Sequence, residues 1–333
     1  MKTYLLYYPI FWLGYWLSKV THKTNKYAYS VFRKLFVSTR GKSNDLLSRR
    51  ITREKPPYVL TEVHGVLGSL SHDEVGKIAD DIRKNGFHVF EQRLEQAHID
   101  ALLKFATSSK AELIPQAEDG TIWLVYDRDH PRSPRYQFAE KDVFTVPIVQ
   151  RLAADPSLFA VAQAYLGCKP IQDMTAMWWS TVFSKKASSE AAQLFHFDMD
   201  RIKFIKFFFY LTDVDSHTGP HCYVRGSQAS MPAGLWRDGR IQDDEIVKSF
   251  APSDIIEITG SKGTMIAVDT RGLHKGKVLE KGERLILQFE FTNSLFGATY
   301  ERVNVEDKLA PEAKEFFNQH SYSFQRLRKG ASA

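Results

Sequence analysis

The run Phe195-His196-Phe197-Asp198 sets an imidazole and a carboxylate two positions apart. In a β-strand, residues i and i+2 share a face, so His196 and Asp198 would stand side by side. A third ligand has to come from a strand folded back over the first. His274, in Asp269-Thr270-Arg271-Gly272-Leu273-His274-Lys275-Gly276, is the candidate. Two histidines and one carboxylate on one side of a metal leave the opposite positions open, which suits non-haem iron(II) oxygen chemistry. Ten residues later comes Arg284, in Gly282-Glu283-Arg284-Leu285-Ile286-Leu287-Gln288-Phe289. Alternation puts Arg284, Ile286 and Gln288 on one face and Leu285, Leu287 and Phe289 on the other. An arginine aimed into a barrel needs a partner. A bound dicarboxylate can supply one, because the guanidinium fork matches a carboxylate. The competing interpretation is that both histidines are satisfied structural residues and that Arg284 makes an ordinary salt bridge.

Other residues are candidates for the substrate side. Lys203 and Lys206 lie on opposite faces of the apolar run 202–211, so one of them can point inward and would need an anionic partner. Trp178, next to Trp179, is a candidate substrate wall, with core packing as the alternative. Arg128 belongs to a charged, turn-rich loop over 127–135, which reads either as a lid for an anionic substrate or as a solvated loop. His221 follows Gly219-Pro220 and could be mistaken for a metal ligand.

These residues need a scaffold. The chain has 333 residues, 43% apolar and 25% charged, enough for one large domain or two medium ones. Ser71 to Glu74 has capping-box spacing, so a helix is expected to begin there and to end at Gly86. A short strand follows over 87–90, then helices near 96–106 and 158–166. From residue 174 onward the pattern turns to short β-rich runs at 177–183, 194–199, 202–211, 222–224, 264–268 and 284–291. Helices first and many short strands after them predict a jelly roll with a helical flank. The two cysteines, Cys168 and Cys222, are far apart and form no CxxC. That excludes a disulfide scaffold and favours a reducing compartment, hence the cytoplasm.

Charge separates the amino terminus from the rest. Residues 1–60 carry twelve Lys or Arg against two acids, a net +10, which leaves −4 for the remainder of a chain whose total is +6. A mildly acidic body argues against a nucleic-acid groove. Residues 4–17 are uncharged and rich in Tyr and Trp, but too short for a confident membrane span. Tyr27, Val31, Phe32, Leu35 and Phe36 recur at helical spacing with Arg33 and Lys34 on another face. Two readings stand: an arm over 1–57 lying on an anionic membrane, peripheral on the inner face of the cytoplasmic membrane, or packing on the body or in a dimer interface. Since each expected iron and co-substrate contact lies after residue 190, removing residues 1–55 is expected to spare turnover of a soluble analogue. The expected body is 58–310, with a C-terminal helix and tail over 311–333.

From about Leu70 to Phe291 the chain resembles the phytanoyl-CoA dioxygenase family of iron(II)- and 2-oxoglutarate-dependent oxygenases. The resemblance rests on the order of Lys84-Asn85-Gly86-Phe87-His88-Val89-Phe90, Leu152-Ala153-Ala154-Asp155-Pro156-Ser157-Leu158, Tyr165-Leu166-Gly167, the His196/Asp198 pair, Tyr210-Leu211-Thr212-Asp213-Val214-Asp215, Gly219-Pro220, Arg225-Gly226-Ser227-Gln228 and the His274/Arg284 pair. It implies a mainly β fold with flanking helices, a double-stranded β-helix of cupin-like, jelly-roll form. It implies His196, Asp198 and His274 as ligands of Fe(II), Arg284 as anchor of the distal carboxylate of 2-oxoglutarate, and O2 as second co-substrate. Asp198 keeps the ligand carboxylate that related halogenases lose, so hydroxylation is the expected outcome. Arg225-Gly226-Ser227-Gln228 replaces the family's usual Pro-Gly-Ser-His, and Ile286 stands where a small residue is common. The expected substrate is anionic: a lipid-linked sugar acid such as a Kdo-type residue of lipopolysaccharide, or an acyl-CoA. Two other classes compete, a non-catalytic metal-binding jelly-roll module and a metal-dependent hydrolase or isomerase on a cupin-like barrel. Neither needs Arg284.

Overall fold

The computed structural model describes residues 3–60, 63–118 and 120–328. Three helices open it, α1 (Tyr7–Thr21), α2 (Lys26–Thr39) and α3 (Lys42–Glu54). Next come α4 (His72–Asn85), β1 (Phe87–Arg93) and α5 (Gln96–Ser108). The Ser71/Glu74 capping box forms, and Gly86 ends α4 at φ 89°, a left-handed turn that glycine adopts without strain. Strands β2 (Lys110–Ile114), β3 (Trp123–Val125) and β4 (Arg135–Gln137) precede α6 (Pro156–Leu166). The other strands of the two larger sheets are β5 (Ile171–Thr181), β6 (Phe204–Tyr210), β7 (His221–Val224), β8 (Ile255–Ile258), β9 (Thr264–Val268), β10 (His274–Gly276) and β11 (Glu283–Thr292), followed by α7 (Pro311–Gln319).

An eight-stranded antiparallel sheet, in the order β1-β9-β6-β11-β5-β4-β2-β3, faces a three-stranded sheet, β8-β7-β10. Segment 196–198 extends the small sheet, because His196 and His274 bridge through paired backbone hydrogen bonds of 3.0 and 2.9 Å. This is the expected double-stranded β-helix. Strand β6 is buried along its whole length, which requires cover on both faces. Alternation sorts its side chains. Phe207 and Phe209, with Leu285, Leu287 and Phe289 of β11, join the core between sheet and helices. Phe208 and Tyr210, with Ile286 and Trp178, join a second core between the two sheets. Lys206 and Arg284 fall on the inner face by the same rule.

The amino-terminal helices belong to the larger core. Phe11, Phe32, Leu35 and Leu47 are fully buried. Phe11, Tyr15 and Phe32 pack their rings around Phe296 at centroid distances of 5.7, 5.8 and 6.1 Å. Asn44 donates to the Ile202 carbonyl at 3.0 Å, and Asn293 to the Ser48 hydroxyl at 3.1 Å. A charged sequence run and a buried apolar stripe coexist because the helices are amphipathic: one side is body core, the other carries the lysines and arginines. Both cysteines are free and buried.

Candidate metal centre

Strand β10 and the bridged segment 196–198 bring His196, Asp198 and His274 together at one end of the space between the sheets. Their ligand atoms all lie within 4.8 Å of one another. His196 Nε2 is 3.5 Å from Asp198 Oδ1, and His274 Nε2 is 3.6 Å from Asp198 Oδ2. Each imidazole is aimed from behind by a backbone carbonyl. His196 Nδ1 is 2.9 Å from the Leu194 carbonyl, and His274 Nδ1 is 3.0 Å from that of Gly272. A carbonyl accepts only, so each Nδ1 carries the proton and each Nε2 presents a lone pair toward Asp198.

The protonation states agree with that geometry. Burial, then the nearby His274, pushes His196 down to about 3. Burial also lowers His274. Burial alone would raise Asp198, but the charges of Lys206, His274 and His196 hold it well below the usual carboxylate range. At neutral pH the trio is therefore two neutral imidazoles and one carboxylate. That donor set fits a divalent transition metal with open positions.

Lys206, expected as a substrate contact, has its ammonium 2.7 Å from Asp198 Oδ2 and 3.4 Å from Glu290 Oε2. It braces the ligand carboxylate from the side away from His196. Lys203 points the other way, as alternation requires, and donates to the Tyr165 carbonyl. Arg284 is fully inward. Its guanidinium donates to Ser180 Oγ at 3.1 Å and to the Gly219 carbonyl, while among the described residues Nε has no partner. Trp178 lies in the inner core with Phe208 at 6.3 Å. Arg128 is not brought to this centre. It is more than half exposed and pairs with Glu283 at 2.8 Å, beside a separate surface cavity with Tyr126 and Lys281.

Sequence reasoning missed two features, a cavity at the site and the inward turn of Arg135. A cavity of about 360 Å³ opens beside His196 and Asp198, walled by Tyr29 and Arg33 of α2 together with Asp200, Asp238 and Arg240. Arg33 forms an ion pair with Asp238 there, joining the amino-terminal helices to the mouth of the site. His221, which the sequence reading set apart from the ligands, has its imidazole 5.5 Å from that of His274, and among the described residues its buried Nε2 has no partner. Arg135, read only as the end of a charged loop, begins β4 and turns inward over Trp178, 4.3 Å from the ring. The alternation of Arg135 with Tyr136 and Gln137 was the one available signal.

No family model matches the chain, and a search of curated proteins finds no match. Among solved structures, the chain is similar to EctD from S. alaskensis with 2-oxoglutarate and 5-hydroxyectoine, at 17% identity, over 84% of this chain and 92% of that one, with a TM-score of 0.48. It is also similar to the non-heme alpha ketoglutarate dependent epimerase SnoN from nogalamycin biosynthesis, at 15% identity, over 67% and 84% of the two chains, with a TM-score of 0.47. The carbocyclase SnoK from the same biosynthesis is similar at 14% identity, over 67% and 83%, with a TM-score of 0.46. Similarities of this size assign no activity to the chain.

Proposed function

We propose that this protein is an iron(II)- and 2-oxoglutarate-dependent oxygenase that hydroxylates a C–H bond of a polar, anionic substrate. The observation that carries the reading is the trio of His196, Asp198 and His274, with both Nε2 lone pairs and the carboxylate converging on one point. Arg284 supports it. The guanidinium is buried, has no carboxylate partner among the described residues, and shares the inner face with the trio. Iron with 2-oxoglutarate and O2 supplies the oxidising power for attack on an unactivated C–H bond. The chain's own residues hold the metal at three positions, brace Asp198 through Lys206, and screen the interior from water with Phe208, Tyr210 and Ile286.

The cavity beside His196 and Asp198 supports a polar, hydroxylated substrate of about one sugar ring. Arg33, Arg240 and Tyr29 offer donors, and Asp200 and Asp238 offer acceptors. An acyl chain would meet mostly polar groups there. With Fe(II), 2-oxoglutarate and O2, succinate should form faster when a Kdo-type sugar acid is added than when an acyl-CoA is added. Succinate formation without any hydroxylated product would leave the oxygenase class and remove the substrate assignment. No succinate under any condition would favour the non-catalytic module or the hydrolase.

The outer face of α1 supports a membrane-surface location for that substrate. Leu13, Trp16, Leu17 and Val20 fall at i, i+3, i+4 and i+7, and all are exposed, Val20 to 79%. Lys19 and Arg50 sit over the Trp16 ring at 4.5 and 4.7 Å, next to this face. No helix among the described residues is long and apolar enough to cross a membrane. An apolar ridge bordered by cations matches an anionic bilayer surface, where each Lys or Arg contributes roughly 1 kcal/mol. Leu13→Ser with Leu17→Ser should release the protein from phosphatidylserine-containing liposomes, and raised salt should weaken the intact chain's binding. If the intact chain ignores such liposomes at low salt, the surface has another occupant.

A further inference from the structure

The trio by itself does not decide how many positions its metal keeps open. Asp198 Oδ1 lies 3.5 Å from His196 Nε2, and Oδ2 lies 3.6 Å from His274 Nε2. Both carboxylate oxygens therefore border the space into which the two imidazole lone pairs point. A carboxylate binds a cation through one oxygen or through both. With one oxygen, three protein atoms leave three positions on a six-coordinate metal; with both, two positions remain. A 2-oxo acid bound through its carboxylate and keto oxygens takes two, so O2 needs the third.

Lys206 breaks the symmetry. Its ammonium donates to Oδ2 at 2.7 Å, the length of a charge-assisted bond. Among the described residues Oδ1 accepts no hydrogen bond, its nearest polar neighbour being His196 Nε2. An oxygen engaged by an ammonium is the poorer metal donor, and the ammonium repels a divalent cation from that side. Oδ1 is left as the ligand atom.

An ammonium held by one acceptor does not keep its place, because the four-carbon stem is flexible. Glu290 supplies the second hold. It stands directly opposite Lys206 in the register of β11 and β6, so the two side chains share the inner face. Its Oε2 is 3.4 Å from the ammonium. Glu290 is 1% exposed, and among the described residues neither of its oxygens has a hydrogen-bond partner. Arg201, the other cation that acts on it, is already held by Asp173 at 2.6 and 3.0 Å. Burial pushes Glu290 up to about 8, and the Lys206 charge opposes that rise. In either protonation state it turns an acceptor oxygen toward the ammonium. A carboxyl buried at this cost has one contact that explains it, the ion pair with Lys206.

We propose that Lys206 and Glu290 are positioning residues that hold Asp198 to one ligand oxygen and so keep a third position open at the metal. The proposal rests on the reading of the trio as a metal centre, and its test does not use turnover. The full chain is loaded with Mn(II), and the relaxation of water protons counts the exchangeable waters on the metal. Wild type should show about three, falling to about one with saturating 2-oxoglutarate. Lys206→Met combined with Glu290→Leu replaces the pair by apolar side chains of similar size, a change that buried ion pairs often tolerate. This double variant should bind Mn(II) at least as tightly as wild type, because it loses a repelling cation and gains a ligand oxygen. Its relaxation per bound Mn(II) should be about one third lower, and with 2-oxoglutarate the metal-bound contribution should vanish. Glu290→Gln keeps an acceptor and should stay near wild type, whereas Glu290→Leu alone should fall between wild type and the double variant. A wild-type water count in the double variant overturns the proposal and leaves the metal centre standing. Loss of Mn(II) from a folded double variant makes the pair structural and also overturns it. If the double variant folds poorly, Glu290→Leu carries the test, and a wild-type count there overturns the proposal. If wild type binds no Mn(II), the centre reading falls and the proposal with it. Failure of 2-oxoglutarate to displace water from wild type, with the one-third drop in the double variant intact, supports the proposal and overturns the co-substrate reading instead.

Discussion

His274→Ala should empty the metal centre. The remaining pair, His196 and Asp198, offers two ligands where three converge now. Even outer partners of a metal ligand are worth about ten- to a hundredfold in affinity or activity, so removal of a ligand should exceed about a hundredfold in both. Iron content after dialysis and succinate release with 2-oxoglutarate are the two readings. Both should collapse in His274→Ala. The same substitution at the neighbouring His221, whose buried Nε2 has no partner among the described residues, should leave the metal content near that of wild type, because His221 is not one of the converging residues. A His274→Ala protein that keeps its iron would remove the trio from the mechanism and, with it, the oxygenase assignment.

The amino-terminal helices should prove inseparable from the body. Removing residues 1–55 would strip Phe11, Phe32, Leu35, Leu47 and Ile51 from one continuous core and expose Phe296. It would also leave the Ile202 carbonyl without Asn44 and the Asn293 amide without Ser48. The expected outcome is an insoluble or unfolded fragment, not the active truncated body that the sequence alone suggests. A gentler test is Phe32→Ala, which should cost about 3–5 kcal/mol, as for other fully buried phenylalanines. Equilibrium denaturation of the full chain reads it directly. A soluble, cooperatively folding fragment lacking residues 1–55, together with a Phe32→Ala variant of unchanged stability, would show that these helices only rest on the surface. Activity is exposed to the same contacts, since Tyr29 and Arg33 wall the cavity beside His196 and Asp198. Even a folded truncation should therefore bind substrate differently.

Much of the centre was legible because strand alternation is a local property. His196 and Asp198 share a face for the same reason that Arg284, Ile286 and Gln288 do, and the structure places Lys206 inward and Lys203 outward by that rule. The capping box at Ser71 and the stop at Gly86 are also local, being hydrogen bonds and torsions within one helix. The jelly roll followed from the number and spacing of short apolar runs. In each case the information lies within a few residues of where it acts.

Partner choice lies beyond that reach. Lys206 looked like a substrate contact because a buried ammonium needs an anion. Only the fold shows that Asp198 and Glu290 are those anions. Arg128 and Arg135 sit seven positions apart in one charged run, yet one faces solvent beside Glu283 and the other lies half-buried over Trp178. The composition of the run is the same for both; the start of β4 between them decides. The first 57 residues are likewise ambiguous as a sequence, since an amphipathic helix binds a membrane and a protein core by the same apolar face. Their inward faces are occupied by Phe296, Phe197 and Trp236. Periodicity thus determined which side chains share a face, while tertiary packing decided what each face meets, because contacts between residues more than a hundred positions apart depend on how whole layers close.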